Sequence, residues 1–227
     1  MARLRVMMLC LMLAALLLPT AALAGPSAQE TVEDAARTLA EMSQQDDVAG
    51  MARLVRRAVG VAIFPKVIKA GLVLGGRHGD GLALRHGADG SWYGPCFLEI
   101  SGMSIGAQIG VQSTALVLVV TNERGMRIFN GDKVTLGGEF AVAAGPVGRQ
   151  AQAATDTDLT ASIYSYSMSR GLFAGFSLEG AKIDDEPDAN EAYWGVAAAP
   201  GDLLHRPAGG GIAPVVAELK RLMTLVE

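Results

Sequence analysis

The sequence predicts an α+β fold, a curved antiparallel sheet or flattened barrel with N-terminal and C-terminal helices packed on it, and three observations lead there. Apolar residues recur at helical intervals near both ends of the chain, behind an N-terminal leader. Between Val59 and about Leu178 the period shortens, and β-rich apolar runs are broken by Gly, Asn and Asp. Hydrophobic residues make up 50% of the 227 residues while aromatics are only 5% against 28 glycines, which describes a core of Val, Leu, Ile and Ala with many turns or close backbone approaches.

The elements follow in order. Arg3 and Arg5 precede an uncharged apolar run, Val6 to Leu18, and the small-residue tail Ala22-Leu23-Ala24, the order of a secretory signal peptide over residues 1–24. The run is shorter than the ~20 apolar residues that span a bilayer. Cys10 lies inside it without the small residue expected before a lipidated cysteine, so it leaves with the leader and Cys96 remains alone, without an internal disulfide. Residues 25–227 then form one domain. Ser27 and Glu30 stand in capping-box spacing ahead of Val32, Ala35, Ala36, Leu39 and Met42, a first amphipathic helix. A second runs from about Val48 to Ala58, with Met51, Leu54, Val55 and Ala58 on one face and Arg53, Arg56 and Arg57 on the other.

Strands are predicted at Val59–Phe64, Leu72–Leu74, Gly81–Arg85, Phe97–Ile100, Ala115–Thr121, Met126–Phe129 and Phe140–Ala143. His86–Gly90 and Asn122–Gly125 read as hairpin turns, and Gly75–Gly81 as a hairpin end. Leu172 to Leu178 alternates as a strand, with Gly171, Gly175 and Gly180 allowing close approach. A helical turn is expected over Asp188–Trp194, a loop over Ala198–Gly211, and a final amphipathic helix opening at Pro214.

Catalytic and metal motifs are weak. Gly102-Met103-Ser104-Ile105-Gly106 matches the spacing of a nucleophile elbow, but the Gly- and β-branch-rich residues after it do not read as the helix that an elbow needs. A dinucleotide cradle fails on glycine spacing, and there is no Walker-type Gly-Lys-Ser or Gly-Lys-Thr. His78, His86 and His205 with one mature cysteine give no metal set; His78 and His86 meet only across a hairpin. Asp184-Asp185-Glu186 with Asp188, and Asp156 with Asp158, lack the pattern of a calcium loop and read as solvated turns. Catalytic residue: none; metal: none; cofactor: none.

Charge is segregated. The whole chain is −4, and loss of Arg3 and Arg5 leaves 17 basic against 23 acidic residues, −6, which excludes a generally basic nucleic-acid binder. Yet Val48 to Gly79 carries Arg53, Arg56, Arg57, Lys66, Lys69 and Arg77 with no Asp or Glu. These six are the candidate lipid-binding residues, a basic face for an anionic phospholipid membrane surface. The competing reading pairs them with Glu30, Glu33, Asp34 and Glu41 of the first helix.

The string Arg170-Gly-Leu-Phe-Ala-Gly-Phe-Ser-Leu-Glu-Gly180 resembles the hallmark of the SYLF domain family, a lipid-binding domain also found in yeast actin-patch proteins. The resemblance continues through Ala58–Pro65, Gly71–Arg85, Ser91–Pro95, Leu136–Gly138, Ala144–Arg149, Asp188–Asn190 and Tyr193–Gly195. It departs at Tyr93-Gly94-Pro95-Cys96, where members read Ser-Ala-Pro-Ser. It implies a non-enzymatic protein that binds anionic lipid at the membrane, here of the secreted bacterial type in the periplasm or outside the cell. The export leader and the absence of an SH3-like or zinc-finger partner sequence argue against actin binding. The alternative function is a structural or self-associating envelope protein, and the third is a cryptic hydrolase.

Intact-mass analysis of exported protein is expected to show an N-terminus at Gly25, one thiol at Cys96 and no acyl chain. A species that retains Cys10 with fatty acid attached overturns this.

Overall fold

Four long strands form the middle of the molecule in the computed structural model: β1 (Gly60–Gly71), β2 (Leu74–His86), β3 (Trp92–Ile105) and β4 (Gly110–Val120). The structure describes residues 26–45, 48–71, 74–105, 110–131, 134–137, 140–145, 161–169, 172–173 and 177–226. The predicted leader, Leu72 and Val73 of a predicted strand, Gly138, residues 146–149, Asp156, Asp158, Arg170, Gly171 and residues 174–176 with Gly175 lie outside them. Shorter strands β5 (Val134–Thr135), β6 (Val142–Ala144), β7 (Ile163–Ser169), β8 (Leu172–Phe173) and β9 (Ala181–Asp185) complete a curled sheet in the order β5-β9-β3-β2-β1-β4-β7-β6, with β8 on β7. Every pair is antiparallel except β6 with β7, and the result is an α+β half-barrel.

The middle strands are buried on both faces where they start. Val61 and Ile63 face one core, Ala62 and Phe64 the other, and all four are fully buried. The first core is covered by three helices: α1 (Ala28–Met42), α2 (Ala49–Arg56) and α6 (Ala213–Thr224), through Leu39, Met42, Leu54, Val55, Leu219 and Leu222. The α1 start is the predicted capping box: the Ser27 hydroxyl accepts from Glu30 N at 3.2 Å, and the Glu30 carboxylate accepts from Ser27 N at 2.7 Å. The second core is covered by a short α3 (Glu123–Met126) running into a 3-10 turn (Arg127–Phe129), by β9, and by α5 (Pro200–Leu203).

Three expectations are corrected. Met126–Phe129 is helical and not a strand: the Asn122 side chain accepts from Gly125 N at 3.0 Å and starts a helix where a hairpin turn was expected. Gly75–Gly81 is the interior of β2, not a hairpin end. A Cβ at Gly79 would lie 2.6 Å from the Lys66 carbonyl, so the glycine permits a close crossing at the bulge where β1 shifts register around Pro65. The loop expected over Ala198–Gly211 contains α5.

The remaining helical element, α4 (Pro187–Trp194), is fastened by one buried side chain. Where β9 stops at Asp185, Asn190 continues its ladder: its amide oxygen accepts from Phe97 N at 2.7 Å and its nitrogen donates to Phe97 O at 3.0 Å. The Trp194 indole adds a donor to Pro95 O at 2.9 Å. The Phe97 carbonyl also accepts from Glu186 N at 3.0 Å, so removal of the amide strands one buried group, the Phe97 N–H. Asn190→Ala is therefore expected to lose about 1–3 kcal/mol in denaturant unfolding, with the exposed Asp188→Ala near wild type; equal stability of the two variants would refute the role of Asn190 as a pin.

Candidate functional site

β1 separates the six cations instead of gathering them. Arg56 and Arg57 are exposed at the C-terminal end of α2, where positive charge complements the helix dipole. Arg56 donates to the carbonyl of Val226, tying α2 to the end of α6. Arg53 is half-buried, directed toward Tyr166, whose phenol is pushed upward by burial against the opposing field of Arg53. Lys66 lies mid-strand at the bulge of β1 and Lys69 near its far end, and the nine steps from Gly60 to Lys69 span about 30 Å. After the bulge they take opposite faces, Lys66 exposed and Lys69 half-buried.

Arg77 is not a surface cation. It is 6% exposed, and its guanidinium donates to the carbonyls of Ser177 at 2.6 Å, Glu179 at 3.2 Å and Met103 at 3.4 Å. Desolvation lowers its pKa from the usual arginine range. Position 77 falls on the face of β2 opposite His78, beneath the chain that leads into β9, so Arg77 straps the end of the glycine-rich string to the sheet.

Three of the four acids of α1, all but Glu41, are engaged within their own helix. Glu30 caps, Glu33 accepts from Gln29 at 2.9 Å, and Asp34 pairs with Arg37 at 2.7 Å.

A polar row that sequence spacing did not reveal crosses the helix-side face of the sheet. Register sets Asp80 opposite Glu99 and Glu99 opposite Asp184, three acids side by side on β2, β3 and β9. Like charges in facing positions repel. His78 sits between two of them, Nδ1 3.4 Å from Glu99 and Nε2 3.5 Å from Asp80. Glu186, at the start of α4, has its carboxyl pushed up to about 7, by burial first, then by its hydrogen bond and repulsion with Asp80 and the charge of Glu99, with His78 opposing. The legible hint was the alternation Asp80, Leu82, Leu84, which places Asp80 on the face of a core strand; Asp184 and Glu186 needed the register.

The Asp80–Glu186 pair lacks the spacing of a glycosidase carboxylate pair. Carboxyl groups in direct hydrogen bond are too close to flank a sugar, where ~5 Å or more is needed. Among the described residues no three His, Cys, Asp or Glu side chains converge to hold a metal ion. His86 stacks on Trp92 at 4.5 Å and bonds the Ala58 carbonyl, so the two strand histidines, eight positions apart on β2, do not meet. Gly102–Ile105 lies within β3 and the next element is β4, a strand where an elbow requires a helix. Cys96 is buried, and desolvation pushes its thiol up to about 12, away from nucleophile chemistry.

Residues 101–227 match a family model described as Ysc84, Las17-binding protein actin regulator. The SH3 domain-containing YSC84-like protein 1 of Xenopus laevis is 38% identical over 143 residues, 63% of this chain and 42% of that protein. Protein YSC84 of Saccharomyces cerevisiae is 34% identical over 177 residues, 74% of this chain and 38% of that protein. The human YSC84-like protein 1 is 35% identical over 144 residues, 63% and 42% respectively. The chain thus spans about two fifths of the length of these curated relatives. The names correct one expectation: the sequence argued against actin binding, and the relatives it matches are described as actin regulators and Las17-binding proteins.

The Glu186 carboxyl holds its proton more tightly when folded than the ordinary 4.5 of an unfolded glutamate, so its contribution to stability is complete below pH 4.5 and is lost as pH rises through about 7. Glu186→Gln is expected to match wild type near pH 4.5 and to be about 1 kcal/mol more stable at pH 8, after allowance for solvent screening. Thermal unfolding across pH measures this; parallel pH profiles would remove the carboxyl coupling.

Proposed function

Because the chain belongs to the Ysc84 family of Las17-binding protein actin regulators, we propose that it acts by binding and not by catalysis, as an exported domain that rests on an anionic lipid surface. The observation that carries the reading is the exposed basic end of α2, where Arg56 and Arg57 stand on the outside of a helix whose other face is locked into the core. Each cation near an acidic membrane contributes ~1 kcal/mol, so two or three give weak, reversible attachment that salt weakens. Among the described residues Ser104 stands in one strand and the next element is another, and this placement with the raised thiol of Cys96 favours binding over the hydrolase alternative.

A second reading is favoured by the relatives' names: the domain engages partners of the actin-regulating class. Both readings assign the chain a docking role, and they differ in what is docked.

Protein recovered from an exporting host is expected to co-sediment with phosphatidylglycerol or cardiolipin vesicles at 0.1 M salt and not with phosphatidylcholine vesicles. The double variant Arg56→Glu, Arg57→Glu is expected to bind at least about tenfold more weakly while staying folded, with a melting temperature lowered by the lost Val226 contact and the reversed charge at the helix end. Equal binding to neutral vesicles, or an unaffected double variant, defeats the electrostatic reading; sedimentation with actin filaments and not with vesicles would establish the second reading in its place.

A further inference from the structure

The helix cover ends before the long strands do. On the helix-side face, Ile63, Leu82, Phe97 and Val117 are buried under α1, α2 and α6. Toward the other ends of the same strands that face is bare among the described residues, and its composition changes row by row. The outermost described row on that face, set by register across four strands, is Val111, Ala70, Gly76 and Met103, all exposed and all without a polar side chain. Val111 is 77% and Met103 71% exposed. The next row inward is Ser113, Ile68, His78 and Ser101, in which Ile68 is 38% exposed beside neutral or weakly basic groups. The first full charge is a cation at the edge of that row, the exposed Lys182 that β9 pairs with Ser101, and the acids begin only beyond it, with Asp80 and Glu99 beside Lys66.

Rows on one face of a sheet are about 7 Å apart, so the face passes from purely apolar, through a row of hydroxyls, imidazole and the Lys182 cation, to carboxylates over about 14 Å. That is the profile of a bilayer from acyl boundary through headgroups to water. The acids are set back at the watery end, and His78 lies between them and the apolar row. On the reverse face Lys69 stands at the same depth as Arg77, and its long stem allows the ammonium to reach phosphate level.

We infer that the bare apolar ends of β1, β3 and β4, with Ile68, Met103 and Val111, insert into the acyl boundary of the membrane. This rests on the lipid-surface reading above and adds to it a contact distinct from the α2 cations, at the opposite end of β1. A second copy of the chain is the weaker occupant: three side chains offer far less than the ~800 Å² per partner of a stable protein interface, and apposed copies would bring Lys66 and the acids of each near those of the other. Gly76 supports the assignment from another direction. A Cβ there would meet nothing within 4 Å, so packing does not demand glycine, and a larger apolar residue at that point extends the inserted surface.

The test places tryptophan at the end of the ribbon. With phosphatidylglycerol vesicles brominated in the acyl chains, Met103→Trp is expected to be quenched well beyond wild type, whose Trp92 is buried and Trp194 half-buried. The pair Met103→Ser, Val111→Ser is expected to lower vesicle partition at least tenfold and Gly76→Leu to raise it severalfold, all with unchanged melting temperature because the positions are exposed. If wild type binds and the tryptophan introduced by Met103→Trp is quenched no more than the native ones, the insertion is refuted while the lipid-surface reading stands. If wild type does not bind vesicles, both fall. If the serine pair changes self-association and leaves partition alone, the face belongs to a second copy and the insertion is wrong.

Discussion

Burial of the middle strands on both faces is the constraint on which the rest of the molecule depends. From Val61 to Phe64 no side chain reaches water, and each large apolar residue so placed is worth roughly 1.5–3 kcal/mol relative to exposure. A sheet with two apolar faces needs two covers. One is the layer of α1, α2 and α6, built from amphipathic stripes; the other is the curl of the sheet itself, brought round by β9, α3 and α5 onto Phe64, Leu98 and Leu118. The bulge at Pro65 and the glycines opposite it bend β1 and β2 enough for that closure.

Two polar pins hold the closure at its seams. Asn190 completes the β3 ladder where β9 ends, and Arg77 gathers three carbonyls, two of them from the chain entering β9. Both are buried, and both work because backbone groups taken out of water need partners. They give a physical content to strings that resemblance alone marked: Asp188–Asn190 is a strand substitute, and Gly71–Arg85 carries the strap. The row of Asp80, Glu99, Asp184 and Glu186 breaks the rule that facing charges should be opposite, and Glu186 relieves the repulsion by keeping its proton to higher pH.

The covers are shorter than the strands, and this difference shapes the surface. Where the helices end, β1 to β4 continue as a thin ribbon that grades from charged to apolar over a few rows. The same length carries the basic residues apart: a run that looks continuous in sequence is laid along an extended strand, with the α2 arginines before its start, Lys66 at its middle and Lys69, opposite Arg77 of β2, near its far end. Binding to a lipid surface through both ends at once would require the molecule to lie along the membrane, whereas insertion of the ribbon would stand it upright, so the two contacts make different demands on orientation.

By itself the sequence determined what local physics controls. The capping box at Ser27 and Glu30, the helical stripes, the proline before the last helix, the alternation of strands and the family strings are all legible because they depend on neighbours a few positions away. Met126–Phe129 looks like a strand in sequence because so short an apolar run has no period, and a side chain at Asn122 decides between strand and helix. Gly75–Gly81 looks like a turn because glycine marks both a turn and a close crossing, and only the partner strand tells them apart. Tertiary structure alone decided which charges meet. Pairing register set Asp80, Glu99 and Asp184 in one row from positions far apart in the chain, buried Arg77, and spread the other cations along the length of β1. Charge patterns along a chain become charge patterns in space only after strand rise and register are known, since at about 3.4 Å per residue a few positions of strand exceed the reach of any ion pair.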